Sequence, residues 1–265
     1  MMFELSFMRY AFIASTFIAI VSGVIGVFVV ARRMSFLTHT LSEIGFAGAS
    51  FAVFAGWQAL NGMLLFTMLS SVMVGQMSIK ESRREAVISA VSALFIGLGI
   101  LFLSLSNQTA SSATSILFGS VVGISKREVW QLVLLSLLVL AVVFLMYRRL
   151  KFDSFDPVGA RVNGVNGTLV SVTFLILVAL SVSVAAQIVG SLLIFILLTL
   201  PAAAAKYYAT GTAKMIGLAI LFALLGTWLG LYLGYVTNWP ISFFIAVIEV
   251  VIYVSALYYH HRVVA

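Results

Sequence analysis

Nine apolar stretches of about twenty residues succeed one another along this chain, at roughly 7–30, 36–56, 58–77, 86–106, 127–147, 167–187, 190–208, 216–236 and 240–259. Twenty apolar residues wound as an α-helix rise about 30 Å, the thickness of the hydrocarbon core of a bilayer. No water is available there to satisfy backbone N–H and C=O groups, so only helices and closed barrels cross it. Barrel strands alternate apolar and polar residues, whereas these stretches are continuously apolar. The expectation is an all-α, polytopic membrane helix bundle of eight or nine spans. The count turns on Asn107 to Ser125, which contains SSATSILFGSVVGIS. Polar and punctuated by glycine, it reads as a short or re-entrant element packed inside the bundle.

The first stretch also resembles the start of a secretory signal, but its apolar run continues from Phe7 to Val30, beyond the 7–15 residues of a signal core. It is therefore expected to stay in the protein as a span. With 63% hydrophobic and 9% charged residues, the chain leaves little room for a soluble domain, and residues 1–265 read as a single transmembrane domain. The absence of cysteine excludes disulfides and thiolate ligands, so metal chemistry must use oxygen and imidazole.

A net charge of +7 suggests nucleic acid in a soluble protein, but in a membrane protein its distribution among loops reports topology. If Arg32 and Arg33 are cytoplasmic, successive crossings also place Lys80, Arg83, Arg84, Arg148, Arg149, Lys151, Arg161, Lys206, Lys214 and Arg262 there. Only Arg9, Lys126 and Arg127 of the 15 basic residues then lie outside. This bias predicts a membrane protein with its N-terminus outside and its C-terminus inside, provided Asn107 to Ser125 returns to the side it left. Membrane lipid is the expected surrounding, and no nucleic acid is expected as a partner. Gly23, Gly26, Gly45, Gly48, Gly226, Gly230 and Gly234 read as places of close helix approach.

Ionisable residues inside such helices are costly and point to function. His39 and Glu43 lie four residues apart in RRMSFLTHTLSEIGFAGASFA, on one helix face and separated by about 6 Å of rise. Imidazole and carboxylate together suit a divalent transition cation, and two protein ligands make a site sparse enough to release what it binds. The same pair also fits a purely structural role, pinning its helix to a neighbour. Glu249, in FFIAVIEVVIYV, is open to three readings: a third metal ligand, a proton site, or a partner for a polar group on another helix. His260 and His261, in YYHHR, read as an interfacial anchor. Asn107, Gln108 and Gln187 are expected near the outer surface.

The segment near 150–166, RRLKFDSFDPVGARVNGVNG, differs in kind. Asp156 as cap, Pro157 at the first helical position and Gly164 as terminator predict a short helix between two spans. Presenting Phe155, Val158 and Arg161, it suits docking to a soluble partner; a solvated loop obeying the positive-inside bias is the alternative.

GVIGVFVVARRMSFLTHTLSEIGFAGASFA, SATSILFGSVVGIS, FDPVGARVNGVN and VGSLLIFILLTLPAAAAKYYA, in this order and spacing, resemble the permease subunits of the ABC-3 family of bacterial zinc and manganese importers. The resemblance covers nearly the whole chain. It implies a type II ABC importer permease of the cobalamin-importer kind, homodimeric or pseudo-dimeric, with two cytoplasmic ABC ATPase subunits and an extracellular metal-binding protein that delivers the ion. The cargo would be zinc or manganese, ATP would bind the partner subunit, and this chain would hold no cofactor and perform no hydrolysis. That agrees with the lack of a GxxxxGK[ST] phosphate loop. The FDP stretch resembles the family's coupling helix, near FDPELARASG; Asp156, Pro157, Ala160, Arg161 and Gly164 match, and Val158 and Gly159 depart. By position Phe155, Asp156, Pro157 and Arg161 are the expected coupling residues.

The family usually carries GDxxSH in its second helix, with Asp and His as proposed ligands. Those two positions are here His39 and Glu43, with Ser42 matching, so the chemical types persist in reversed order. Two rivals stand beside a metal importer. One is a permease for another small ligand or a metal chelate; the other is an autonomous proton-coupled carrier using His39, Glu43 and Glu249 as a relay.

Overall fold

In a computed structural model describing residues 6–76, 81–106, 116–119, 125–191 and 193–264, the apolar stretches are α-helical. The helices are α1 (Ser6–Ala31), α2 (Ser35–Phe54), α3 (Ala59–Gln76), α4 (Glu81–Leu105), α5 (Lys126–Phe155), α6 (Pro157–Val162), α7 (Gly167–Val189), α8 (Ile194–Tyr208), α9 (Thr212–Thr237) and α10 (Ile241–Val264). Five of them are long and apolar enough to cross a membrane: α1, α5, α7, α9 and α10. The expected count of eight or nine is not confirmed on that criterion. Helix α8 is too short, at 15 residues, because the chain breaks at Gly190, whose φ of 87° lies in the left-handed region. Helix α2 is long enough, but Thr38, His39, Thr40, Ser42 and Glu43 crowd its first half with polar groups.

Helices α1 and α7 occupy the centre. Helix α1 packs against α5, α7, α8 and α9, and α7 against α1, α2, α3 and α5. Their small residues make this possible, among them Ala11, Ala14, Ala19 and Ser22 on α1 and Ala179, Ser181 and Ser183 on α7, all buried. Between them Phe28 and Phe174 meet edge to face at 6.5 Å. Lipid is as apolar as leucine, so such contacts are held by dispersion and close approach rather than by water exclusion. Ser181 Oγ donates to the Leu177 carbonyl of its own helix at 2.7 Å, and Ser183 Oγ shares a hydrogen bond of 2.9 Å with Thr67 Oγ1 of α3.

Helices α2, α3 and α4 form a flank packed on α7 through α2 and α3. Gly48 and Gly62 bring the α2 and α3 backbones together; a Cβ on either would collide with the other's carbonyl oxygen. Gly23, Gly26, Gly226, Gly230 and Gly234 likewise face neighbouring helices, while Gly45 leaves a Cβ ordinary room. On the other flank α8, α9 and α10 pack on one another, and much of α9 and α10 faces outward with exposed Leu, Val, Trp and Tyr.

Of the segment Asn107 to Ser125, residues 107–115 and 120–124 lie outside the described residues, and with them Asn107, Gln108 and the question of a full crossing. Residues 116–119 rest on the α7–α8 junction, where Ser191 N and Oγ both donate to the Ile116 carbonyl, at 3.1 and 3.2 Å. Helix α5 then begins with a capping box: Ser125 N donates to Glu128 Oε2 at 2.8 Å and Glu128 N to Ser125 Oγ at 3.2 Å. Lys80 and the side chains of Arg83, Arg84 and Gln187 are also outside the described set.

Candidate functional site

The α1–α2 turn is tight: Arg33 adopts a φ of 55° and Met34 N donates to the Val29 carbonyl at 2.9 Å, so α2 starts directly after α1 ends. One turn into α2, His39 Nδ1 lies 3.4 Å from Glu43 Oε1. The helical spacing thus brings imidazole and carboxylate together as expected, in a contact that is ionic only when the imidazole is protonated. The His39 side chain is 40% exposed and that of Glu43 13%. Its ring stacks beside Phe36 at 6.4 Å and meets Phe195 of α8 edge to face at 4.9 Å, so aromatic faces fix its orientation while one side stays open. Among the described residues Ser42 Oγ and Glu43 Oε2, both buried, have no hydrogen-bond partner. A buried oxygen left unpaired costs about 1–3 kcal/mol, so each keeps lone pairs with spare capacity for a donor or a cation.

Glu249 does not join them. No group of three His, Cys, Asp or Glu residues able to hold a metal ion occurs among the described residues, Glu249 included. Its carboxylate sits instead over Gly226 of α9, and a Cβ at Gly226 would collide with Oε1. Ile245 and Ile241 sit over Gly230 and Gly234 in the same way. Three residues at four-residue spacing on α10 therefore seat on three glycines at the same spacing on α9, with Glu249 filling a place of isoleucine type. It is wholly buried, and neither carboxyl oxygen has a hydrogen-bond partner among the described residues.

The FDP segment folds as expected. Asp156 Oδ1 accepts from Gly159 N at 2.9 Å, Pro157 opens α6, and Ala160 is buried. The chain reverses at Gly164, φ 75°, before Asn166 caps α7. Phe155 at the end of α5 and Val158, Arg161 and Val162 on the six-residue α6 remain exposed, a mixed apolar and basic surface. His260 and His261 end α10 beside a cluster of tyrosines, where the Tyr207 and His260 rings lie 5.0 Å apart and Arg262 stands 4.9 Å over Tyr258.

One ionic group was not expected from sequence. Arg32 Nη2 donates to Asp153 Oδ2 at 2.8 Å, Nε to Ser154 Oγ at 2.8 Å, and Nη1 to Ser171 Oγ at 3.3 Å; its guanidinium also lies 4.6 Å over the Phe174 ring. Side-chain exposure is 7% for Arg32 and 9% for Asp153. Burial lowers the Arg32 pKa, and the Asp153 charge and hydrogen bond oppose that shift; a guanidinium stays charged throughout. Removing one partner of such a pair typically costs about 3–5 kcal/mol, because the other charge is stranded. Arg32 and Asp153 are 121 positions apart, so no local pattern announces their meeting.

Comparison with known proteins places this arrangement. The chain is 30% identical over 236 residues to the manganese transport system membrane protein MntC of Listeria monocytogenes, covering 89% of this chain and 84% of that one. It is 30% identical over 263 residues to the manganese import system permease protein ScaB of Streptococcus pneumoniae, covering 97% and 89%. Its fold matches a solved structure of PsaBC from Streptococcus pneumoniae in complex with Fab at a TM-score of 0.85 and 24% identity, over 96% of this chain and 91% of that one. The ABC 3 transport family matches residues 4–260. Apolar helices and membrane-protein relatives agree on a multi-pass membrane protein, and with a family match over almost its whole length this chain belongs to the ABC 3 transport family.

Proposed function

We propose that this chain is the membrane permease subunit of an ATP-driven importer of a divalent transition metal ion, with manganese or zinc as cargo. The observation that carries the reading is the His39–Glu43 pair: an imidazole and a carboxylate 3.4 Å apart, oriented by aromatic rings and open on one side, with Glu43 Oε2 unpaired. Manganese-import relatives support the cargo class, and the mixed nitrogen and oxygen donors suit either metal. Two side chains are too few to hold an ion alone. In a homodimer, whose two-fold axis duplicates every surface, a second copy supplies a second pair to the same ion. The exposure of His39 fits an interface of that kind, with the metal passing between the two copies.

The chain lacks a phosphate loop, so ATP hydrolysis belongs to separate ABC ATPase subunits. These dock on α6 and its approach through Phe155, Asp156, Pro157 and Arg161, and their movement alternates access to the transit site. An extracellular metal-binding protein delivers the ion on the opposite side. The topology we propose is eight or nine spans in the plasma membrane, N-terminus outside and C-terminus inside, supported by the placement of the basic residues.

The test is reconstitution in vesicles with the cognate ATPase subunit and radiolabelled manganese or zinc. Uptake is expected to require ATP and the ATPase subunit, and the isolated permease is expected to hydrolyse no ATP. Asp156→Lys or Phe155→Ala is expected to remove co-purification with the ATPase while the permease still inserts in the membrane. Uptake by the permease alone along a proton gradient would replace this reading with that of an autonomous carrier.

A further inference from the structure

We infer that the buried Arg32–Asp153 ion pair is the tether that carries movement of α6 to the transit residues on α2. The inference rests on the importer reading and adds to it the residues that join its two ends. Asp153 and Ser154 lie in the last turn of α5, immediately before Phe155 and the Asp156 cap of α6. Arg32 lies in the turn that launches α2, and His39 follows within two helical turns. Ser171 and Phe174 bring α7 to the same guanidinium. Three segments distant in sequence thus meet on one side chain, between the proposed ATPase dock and the proposed metal site.

The chemistry of the joint suits a tether. Apolar contacts resist compression but lose most of their attraction once a gap opens, so they transmit a push and not a pull. A charge-assisted hydrogen bond in a poorly solvated site holds in both directions, and the planar guanidinium fixes the angle between its partners. Arg32 makes three such directed bonds, to Asp153, Ser154 and Ser171. The left-handed backbone at Arg33 leaves the α1–α2 turn no slack, so displacement of Arg32 must reach the start of α2. Arg32 and Asp153 are positioning residues on this account and touch no metal.

The decisive variant is Arg32→Met combined with Asp153→Leu, which replaces both charged side chains by apolar ones together, a change that buried ion pairs commonly tolerate in stability. In the reconstituted complex with its ATPase subunit, ATP hydrolysis is expected to continue while manganese moved per ATP falls by roughly tenfold or more. A normal ratio in the assembled double variant overturns the inference. A second measurement uses the unaltered pair and so does not depend on that variant folding. The chain has no cysteine, which allows spin labels at Ser35→Cys and Val162→Cys, both exposed, with the exposed Gln58→Cys, in the turn beyond the far end of α2, as reference. Between nucleotide-free and ATP-trapped complexes, the 35–162 distance is expected to hold while the 58–162 distance shifts. A 35–162 change as large as the 58–162 change breaks the tether. If the wild-type complex shows no ATP-dependent manganese or zinc uptake, it is the importer reading that fails.

Discussion

Glu43 and Glu249 are both glutamates in apolar helices, and the surroundings make them different groups. Glu43 stands one turn from an imidazole, partly exposed, with one oxygen unpaired among the described residues and a ring-oriented histidine beside it. Glu249 is sealed between α9 and α10, seated on Gly226 in a ladder whose other rungs are isoleucines. A ligand needs lone pairs that an incoming ion can reach, together with a second donor at short range; burial alone supplies neither. The difference teaches that an intramembrane carboxyl earns a transport role from its access and its neighbours.

The largest effect is expected at the open pair. His39→Ala or Glu43→Ala should cut manganese or zinc uptake by about tenfold or more, at least 1.4 kcal/mol in binding terms, with normal amounts of assembled permease in the membrane. Uptake that falls only in proportion to lost assembly would make the pair structural and erase the contrast. Normal uptake of both metals by well-assembled variants would leave an importer for another small ligand or a metal chelate.

Next comes the closed site from its glycine side. Gly226→Leu places a side chain where the Glu249 carboxylate lies and should destabilise the permease by about 1–3 kcal/mol through overpacking. Lower melting temperature in detergent measures this; an unchanged melting temperature would show that the ladder is looser than its geometry. A smaller, chemical effect is expected from His39→Asp combined with Glu43→His, which exchanges the two donors along the helix. Partial uptake should remain, with a shifted zinc to manganese ratio measurable by competition. Complete loss in an assembled complex would mean that donor order, beyond donor type, defines the site. The smallest effect is expected from Glu249→Leu: an apolar side chain in an apolar rung should leave stability and uptake near the wild-type level, because no hydrogen bond is lost. Loss of uptake by an assembled Glu249→Leu permease would return Glu249 to the transport path and break the comparison.

The amino-acid sequence by itself determined that this is an all-helical membrane protein, since continuous apolar runs admit no other spanning structure. It also determined the His39–Glu43 juxtaposition and the Asp156-capped helix, because both depend on spacings within one or two turns. The ladder of Ile241, Ile245 and Glu249 on Gly234, Gly230 and Gly226 was half legible: the four-residue spacing is in the chain on both helices, but nothing local says that the two faces meet. Only the tertiary structure separated Glu249 from the other two candidate ligands and joined Arg32 to Asp153 across 121 positions. The physical reason is reach. Local spacing sets which side chains share a helix face, whereas in a bundle held by close packing the partner of that face follows from how every helix fits against the rest.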